Sequence, residues 1–208
     1  MIIEIRSLMR ESQSFSPAQR EGLLHGLCGF AHGLIARLRL EDEASAIRPW
    51  ADVAAPHPNL PDRVLQTLGA RLQALAEQGT ISDIRYVQLE TRLVSLSQVQ
   101  AACERIKHTP LPFPYTLLLH RTIYLFCILL PFAMAEPLGW LTPVFTAIVS
   151  YTFFGLDEIG DDLEDPFGFD ENDLPCNALL RMLEREILAA LGHTELPPAL
   201  MPVEFVLT

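Results

Sequence analysis

The most constraining feature of this 208-residue chain is a pair of uncharged, strongly apolar segments that lie close together. Nineteen consecutive residues, 138–156, carry no charged side chain, and a similar run of fourteen, 122–135, precedes them. A helix needs about 20 apolar residues to cross the hydrocarbon core of a bilayer, so the longer run predicts a membrane span. The shorter run also reaches spanning length when it is extended back through Arg121 and His120 to Pro114.

The short link between the two runs favours an antiparallel membrane hairpin, because only Glu136 and Pro137 separate them. Arg105, Lys107 and Arg121 precede the hairpin, and basic residues collect on the cytoplasmic side of a membrane. We therefore expect a multi-pass protein of the inner membrane with both termini in the cytoplasm. The alternative is a soluble protein in which the two runs form very apolar core helices.

The rest of the chain carries helix signals and no convincing strand alternation. Ser16 followed by Pro17 is typical of a helix N-cap and first helical position. A leucine stripe ending at Gly79 predicts a second helix, and a third helix is predicted to begin at Ser82. The apolar stripe predicted for that third helix consists of Ile84, Val87, Val94, Val99, Ala102, Cys103 and Ile106.

A last helix is predicted over residues 175–191, with Asp173 as its N-cap and Gly192 as its C-terminal stop. The predicted fold class is therefore all-α: a membrane protein whose helical bundle contains a two-helix transmembrane hairpin and cytoplasmic helices. The predicted regions are a cytoplasmic helical region at 1–110, the hairpin with its entry segment at 111–156, and an acidic loop with a cytoplasmic helix at 157–208.

Composition argues against two other classes of protein. The chain has 15 basic and 26 acidic side chains, a net charge of −11, and a nucleic-acid binder instead concentrates basic residues to neutralise phosphates. No nucleophile elbow, phosphate-binding glycine loop or metal-ligand spacing is present, so no enzymatic activity and no catalytic residue are predicted.

Two motifs flank the apolar runs. Ahead of the first run stands Pro-Phe-x-Tyr-Thr, which consists of Pro112, Phe113, Tyr115 and Thr116. After the second stands Glu-Asp-Pro-Phe-Gly, which consists of Glu164, Asp165, Pro166, Phe167 and Gly168. In combination they closely resemble the bacterial branch of the bestrophin channel family, most strongly over residues 109–191.

The resemblance implies a homopentamer around a central pathway that conducts chloride or small monovalent ions passively through a lipid membrane. It also implies that Leu111 forms the cytoplasmic aperture of the pore. Five leucines around a narrow axis would make a hydrophobic constriction, which filters ions by dewetting. The alternative for Leu111 is ordinary packing in a turn between prolines.

One departure from the family pattern concerns two further membrane helices, the second of which lines the pore neck. No apolar run precedes Leu111 in this sequence, and its first residues resemble the stretch that follows the neck helix. We therefore expect a chain that lacks those two helices. The competing hypothesis is a membrane-anchored helical scaffold, or a channel fragment, that conducts nothing.

Nine acidic residues lie between Asp157 and Asp173 without a single basic residue among them. Three interpretations stay open: a calcium site, a ring that attracts cations, and a solvated loop. The EF-hand spacing does not fit. By family register Asp170 and Asp173 are the candidate calcium ligands, and apart from this ion no cofactor is predicted.

Overall fold

The computed structural model describes residues 1–52, 57–109, 112–162, 165–202 and 207, and every regular element among them is helical. This confirms the all-α fold class for the described residues. Two 3-10 segments, Ser12–Ser14 and Gly139–Leu141, join helices. The α-helices of the described residues are α1 (Ile2–Glu11), α2 (Pro17–Leu38), α3 (Glu43–Ile47), α4 (Leu60–Glu77), α5 (Asp83–His108), α6 (Phe113–Leu138), α7 (Thr142–Asp162) and α8 (Cys176–Ala190).

The helices form two compact units. The helical unit comprises Met1–Ile106 and Leu174–Thr208, and the hairpin unit comprises Lys107–Asp173. Helix α8 therefore belongs with the N-terminal helices, although it follows the hairpin in sequence. The predicted regions 1–110, 111–156 and 157–208 refer to position relative to a membrane, and that division stays a prediction.

Helix α2 is the centre of the helical unit and begins as the sequence predicts. The Ser16 hydroxyl accepts a hydrogen bond from the Gln19 backbone N–H at 3.4 Å, and the Gln19 side chain accepts one from the Ser16 N–H at 3.0 Å. This capping box satisfies two backbone donors that have no partner within the helix. The predicted N-cap at Ser16 and first helical position at Pro17 are confirmed.

Glycines on α2 allow neighbouring helices to approach closely. A Cβ at Gly26 would lie 2.6 Å from Leu68 Cδ2 of α4, and a Cβ at Gly33 would lie 2.6 Å from Ile47 Cδ1 of α3. Both distances are shorter than atoms in contact tolerate, so a side chain at either glycine would displace a packed neighbour.

Helix α5 buries a different face from the predicted one. Of the predicted stripe, Ile84, Val87 and Val94 are 76%, 59% and 47% exposed. The buried side chains are instead those of Leu89, Leu93, Leu96 and Gln100. The helix carries two apolar stripes, and the leucine stripe is the one that packs in the core of this chain.

The predicted ends of other helices are correct where glycine ends them. Gly79 and Gly192 adopt φ values of +69° and +91°, a left-handed conformation that costs glycine little. The predicted cap of α8 is wrong: its N-cap is Pro175, and Asp173 caps no helix. Helices α1 and α3 were absent from the prediction: α3 has only five residues, whereas α1 carries an amphipathic pattern, with Ile5 and Leu8 buried, that was overlooked.

Candidate functional site

The hairpin unit contains the membrane-competent segment of the chain. Its helical stretch Phe113–Gly160 is long and apolar enough to cross a membrane, judged by length and composition, and only 11% of its most apolar window is buried. Helix α7 packs against α6, so the stretch turns back on itself. The apolar side chains that this leaves exposed include Phe132 at 78% and Trp140 at 97%.

The turn of the hairpin lies later in the sequence than predicted. Pro137 is within α6, and the chain reverses through Gly139–Leu141. Gly139 adopts φ +49°, which favours glycine, and the buried Thr142 hydroxyl contacts both the Gly139 carbonyl at 2.7 Å and the Met134 carbonyl at 3.1 Å. The predicted link at Glu136 and Pro137 is therefore wrong by about one helical turn, since the reversal needs the glycine conformation.

Aromatic pairs fix the register between α6 and α7. Tyr124 meets Phe154 with ring centroids 5.3 Å apart, and Phe126 meets Phe153 at 5.1 Å, both edge to face. Such pairs each contribute about 0.5–1.5 kcal/mol beyond the area they bury.

The same register joins His120 to Asp157. His120 Nε2 lies 3.2 Å from Asp157 Oδ2, and its Nδ1 lies 2.8 Å from the Thr116 carbonyl oxygen. Both partners are acceptor oxygens, so each ring nitrogen of His120 faces a group that can accept a hydrogen bond from it. Asp157 is 8% exposed, and within the described residues its Oδ1 accepts no hydrogen bond.

This pair explains two features that the sequence presented separately. Asp157 stood in the acidic run, and His120 was assigned to the polar start of the first span. One sequence signal could have predicted this pairing. His120 and Asp157 are separated from Gly139 by nearly equal numbers of residues, so they lie at the same level of the hairpin. Arg121, the neighbouring charge, is exposed instead.

A second ion pair lies at the base of the hairpin. Lys107 Nζ is 2.6 Å from Asp165 Oδ2, and the Lys107 side chain is only 16% exposed. Asp165 Oδ1 also accepts a hydrogen bond from the Phe167 N–H at 3.4 Å, and Phe167 itself is buried. Two residues of the predicted Glu-Asp-Pro-Phe-Gly motif therefore have structural partners.

The turn after this motif is closed by Asp173. Its Oδ2 accepts a hydrogen bond from the Asp170 N–H at 2.8 Å, and a Cβ at Gly168 would lie 2.5 Å from the same oxygen. Glycine at position 168 is therefore needed for this close approach. One of the two predicted calcium ligands thus has a role in the loop, and the described residues contain no group of three or more His, Cys, Asp or Glu that could hold a metal.

The predicted aperture residue Leu111 and the motif residue Glu164 lie outside the described residues. Pro112 is the N-cap of α6, and Phe113 and Tyr115 are 74% and 71% exposed. The aperture assignment and the calcium assignment at Asp170 and Asp173 stay predictions. What the hairpin unit shows directly is an apolar helix pair with ion pairs towards its base.

Comparison with known proteins identifies similar chains. A family model described as bacterial and fungal bestrophin protein matches residues 1–189. A voltage-dependent anion channel-forming protein of Mesorhizobium japonicum is 41% identical over 98% of this chain and 67% of its own length. One of the same description from Escherichia coli is 38% identical over 97% of this chain and 69% of its own length.

Solved structures show the same fold. A crystal structure of a bacterial bestrophin homologue from Klebsiella pneumoniae superposes with a TM-score of 0.86 at 35% identity, over 93% of this chain and 75% of that chain. The relatives are named as channels rather than enzymes, which agrees with the lack of catalytic motifs in the sequence.

Proposed function

Because this chain belongs to the bacterial and fungal bestrophin family, we propose that it is a subunit of a pentameric channel that conducts anions passively. The observation that carries the proposal is the match over residues 1–189, which includes the whole apolar hairpin. Relatives that match nearly the full length of this chain are named for forming voltage-dependent anion channels.

The exposed apolar surface of the hairpin is suited to contact with membrane lipid and with other copies of the chain. Side chains such as Phe132 and Leu129, 78% and 54% exposed, are covered at low cost by lipid or by another apolar helix. We place the protein in the inner membrane, with several passes and both termini in the cytoplasm, because basic residues precede α6.

The proposed mechanism is passage of ions through a constriction formed by one Leu111 from each subunit. A narrow apolar ring resists wetting, so only ions that lose enough of their hydration water can pass. No bond is made or broken, and no cofactor is required. Calcium binding by Asp170 and Asp173 is a separate proposal that conduction does not need.

Selectivity between anions and cations is the sharpest test of this proposal. The acidic run from Asp157 to Asp173 would raise the local cation concentration if it faced the pathway. The names of the relatives point to anions instead. Reversal potentials in a potassium chloride gradient distinguish the two, and a potential near that of potassium would overturn anion conduction.

The experiment is chloride efflux from liposomes that contain the purified chain, with insertion and oligomer size measured on the same sample. We expect chloride efflux from inserted pentamers, and Leu111→Ala is expected to change the rate or the ion discrimination. Leu200→Ala, the same chemical change in the C-terminal tail, serves as the matched control.

The second candidate function is a membrane-anchored helical scaffold. It is favoured if confirmed pentamers in the liposome membrane pass no ions. Unchanged conduction and discrimination in Leu111→Ala, with a conducting parent, would instead show that the aperture assignment is wrong.

A further inference from the structure

We propose that the ion pair between Lys107 and Asp165 is a latch that holds the last turn of α5 to the segment after α7, at the base of the hairpin. Both are positioning residues, because they act on ion passage only through the two segments of chain that they join. The inference rests on the proposed channel function for the consequence of opening the latch. The latch itself rests on contacts within the hairpin unit.

The environment of Lys107 is the first observation. It is the only lysine of the chain, and it lies in the last turn of α5, four residues before Leu111. Its side chain is 16% exposed, and a lysine is rarely withdrawn from water this far unless it is paired. The ammonium group also lies at the carboxyl end of a helix, where a positive charge is favoured.

The second observation is what holds Asp165. One carboxylate oxygen receives the Lys107 ammonium at 2.6 Å, and the other receives the Phe167 N–H at 3.4 Å. Phe167 is 6% exposed, so the segment after α7 is fixed by burial as well. The pair therefore ties the residue that leads into α6 to the residue that follows α7.

The third observation is that α5 is fixed upstream of Lys107. Gln100, Glu104 and Lys107 share one helix face at i, i+4 and i+7. Within the helical unit, Glu104 Oε1 accepts from Arg37 Nε at 2.7 Å, and Gln100 Nε2 donates to Asn59 Oδ1 at 2.9 Å. These bonds hold α5 one and two turns before Lys107, so the Lys107–Asp165 contact is made by a helix that is already fixed on the same face.

Two roles for the pair have different signatures in conduction. If the two charges acted only through their electric field, Asp165→Asn would raise the anion-to-cation permeability ratio and Lys107→Met would lower it. A latch predicts that both substitutions change the anion-to-cation permeability ratio in the same direction. It also predicts that the exchanged pair, Lys107→Asp with Asp165→Lys, restores the parent ratio.

The state of the latch can be measured without conduction, because a lysine-specific protease has only one site in this chain. Cleavage after Lys107 gives fragments 1–107 and 108–208. We expect the parent to resist cleavage and Asp165→Asn to be cut about fivefold faster, which corresponds to losing a partly exposed pair worth about 1 kcal/mol. Glu171→Gln, which removes an exposed acid of the same loop, should be cut like the parent.

The outcomes separate the two proposals. Equal cleavage of the parent and Asp165→Asn overturns the latch, whether or not the protein conducts. Opposite shifts in permeability ratio for the two single substitutions overturn the positioning role and leave conduction intact. A protected Lys107 in a protein that passes no ions overturns the proposed function while the latch stands.

Discussion

Helices α2 and α6 are of similar length and are both rich in apolar residues, yet they differ in how much of their surface the rest of the chain buries. In α2, twelve of 22 residues are buried, whereas in α6 only Ile123 and Leu130 of 26 are buried. The neighbours that cover α2 are α3, α4 and α8 of the same chain. Most of the surface of α6 must be covered by something outside the chain, which is the arrangement expected of a membrane helix in an oligomer.

The comparison predicts that equal substitutions have unequal effects in the two units. Phe30 of α2 is fully buried, while Phe132 of α6 is 78% exposed. Phe30→Ala removes a packed ring and should cost about 3–5 kcal/mol in the free energy of unfolding. Phe132→Ala should cost less than about 0.5 kcal/mol in detergent, where the micelle covers the site.

Trp50 fluorescence during denaturant unfolding is the measurement, made in a Trp140→Phe background so that Trp50 is the only tryptophan. Similar losses for the two substitutions would contradict the distinction between a chain-covered helix and an externally covered one.

Acid should destabilise the helical unit through His32. Burial, together with the nearby positive charge of Arg181, lowers the pKa of His32 to about 4 from 6.5. His32 stacks on Trp50 with centroids 5.5 Å apart, and its Nε2 has no hydrogen-bond partner in the described residues. The folded state therefore resists a proton that the unfolded chain accepts.

The sign follows from the lowered pKa. Stability contributed by neutral His32 is complete above pH 6.5 and falls as the pH drops towards 4, by about 1.4 kcal/mol per pH unit in that window. His32→Phe keeps the stacked ring and removes the proton site. The difference between parent and variant, measured by denaturant unfolding at several pH values, should follow this slope, and a constant difference would contradict it.

The parts of the fold that the sequence predicts are those decided locally. Ser16 and Pro17 mark the start of α2, and Gly79 and Gly192 mark helix ends, because cap geometry depends on a few neighbouring residues. The two apolar runs predict the hairpin for the same reason: an uncharged stretch of spanning length has few alternatives.

The parts that escaped prediction depend on contacts distant in sequence. Which of two apolar stripes α5 buries is decided by its neighbours in the folded chain, so Leu89 is buried while Ile84 is exposed. The pairing of His120 with Asp157 needs the register of the hairpin, which depends on both the turn at Gly139 and the aromatic pairs between α6 and α7. The Lys107–Asp165 pair spans 58 positions and leaves no local signal.

The close packing of α2 predicts that substitutions at its glycines cost less stability than Phe30→Ala. Gly26→Ala places a Cβ against Leu68 and should cost about 1–3 kcal/mol, reduced by the better helix propensity of alanine. At Gly22 the nearest atom is the mobile end of Arg71, at 3.2 Å. Gly22→Ala should therefore be neutral or stabilising by up to about 1 kcal/mol, and equal destabilisation of both variants would contradict the packing argument.

The smallest expected effect concerns how the two helices begin. Helix α2 starts with the Ser16 capping box, whereas α6 starts at Pro112 without a side-chain cap. Pro114 lacks an N–H, so the first turn of α6 has one donor fewer to satisfy. Ser16→Ala should lower the free energy of unfolding by about 1 kcal/mol because the Gln19 N–H loses its partner.

Ser14→Ala is the matched control, since Ser14 is exposed and lies just before the cap. It should leave the Trp50 unfolding transition unchanged within about 0.5 kcal/mol. A loss equal to that of Ser16→Ala would mean that the α2 cap contributes no more than an ordinary surface serine. The start of α2 would then resemble that of α6, where packing and the surrounding medium, rather than a polar cap, hold the first turn.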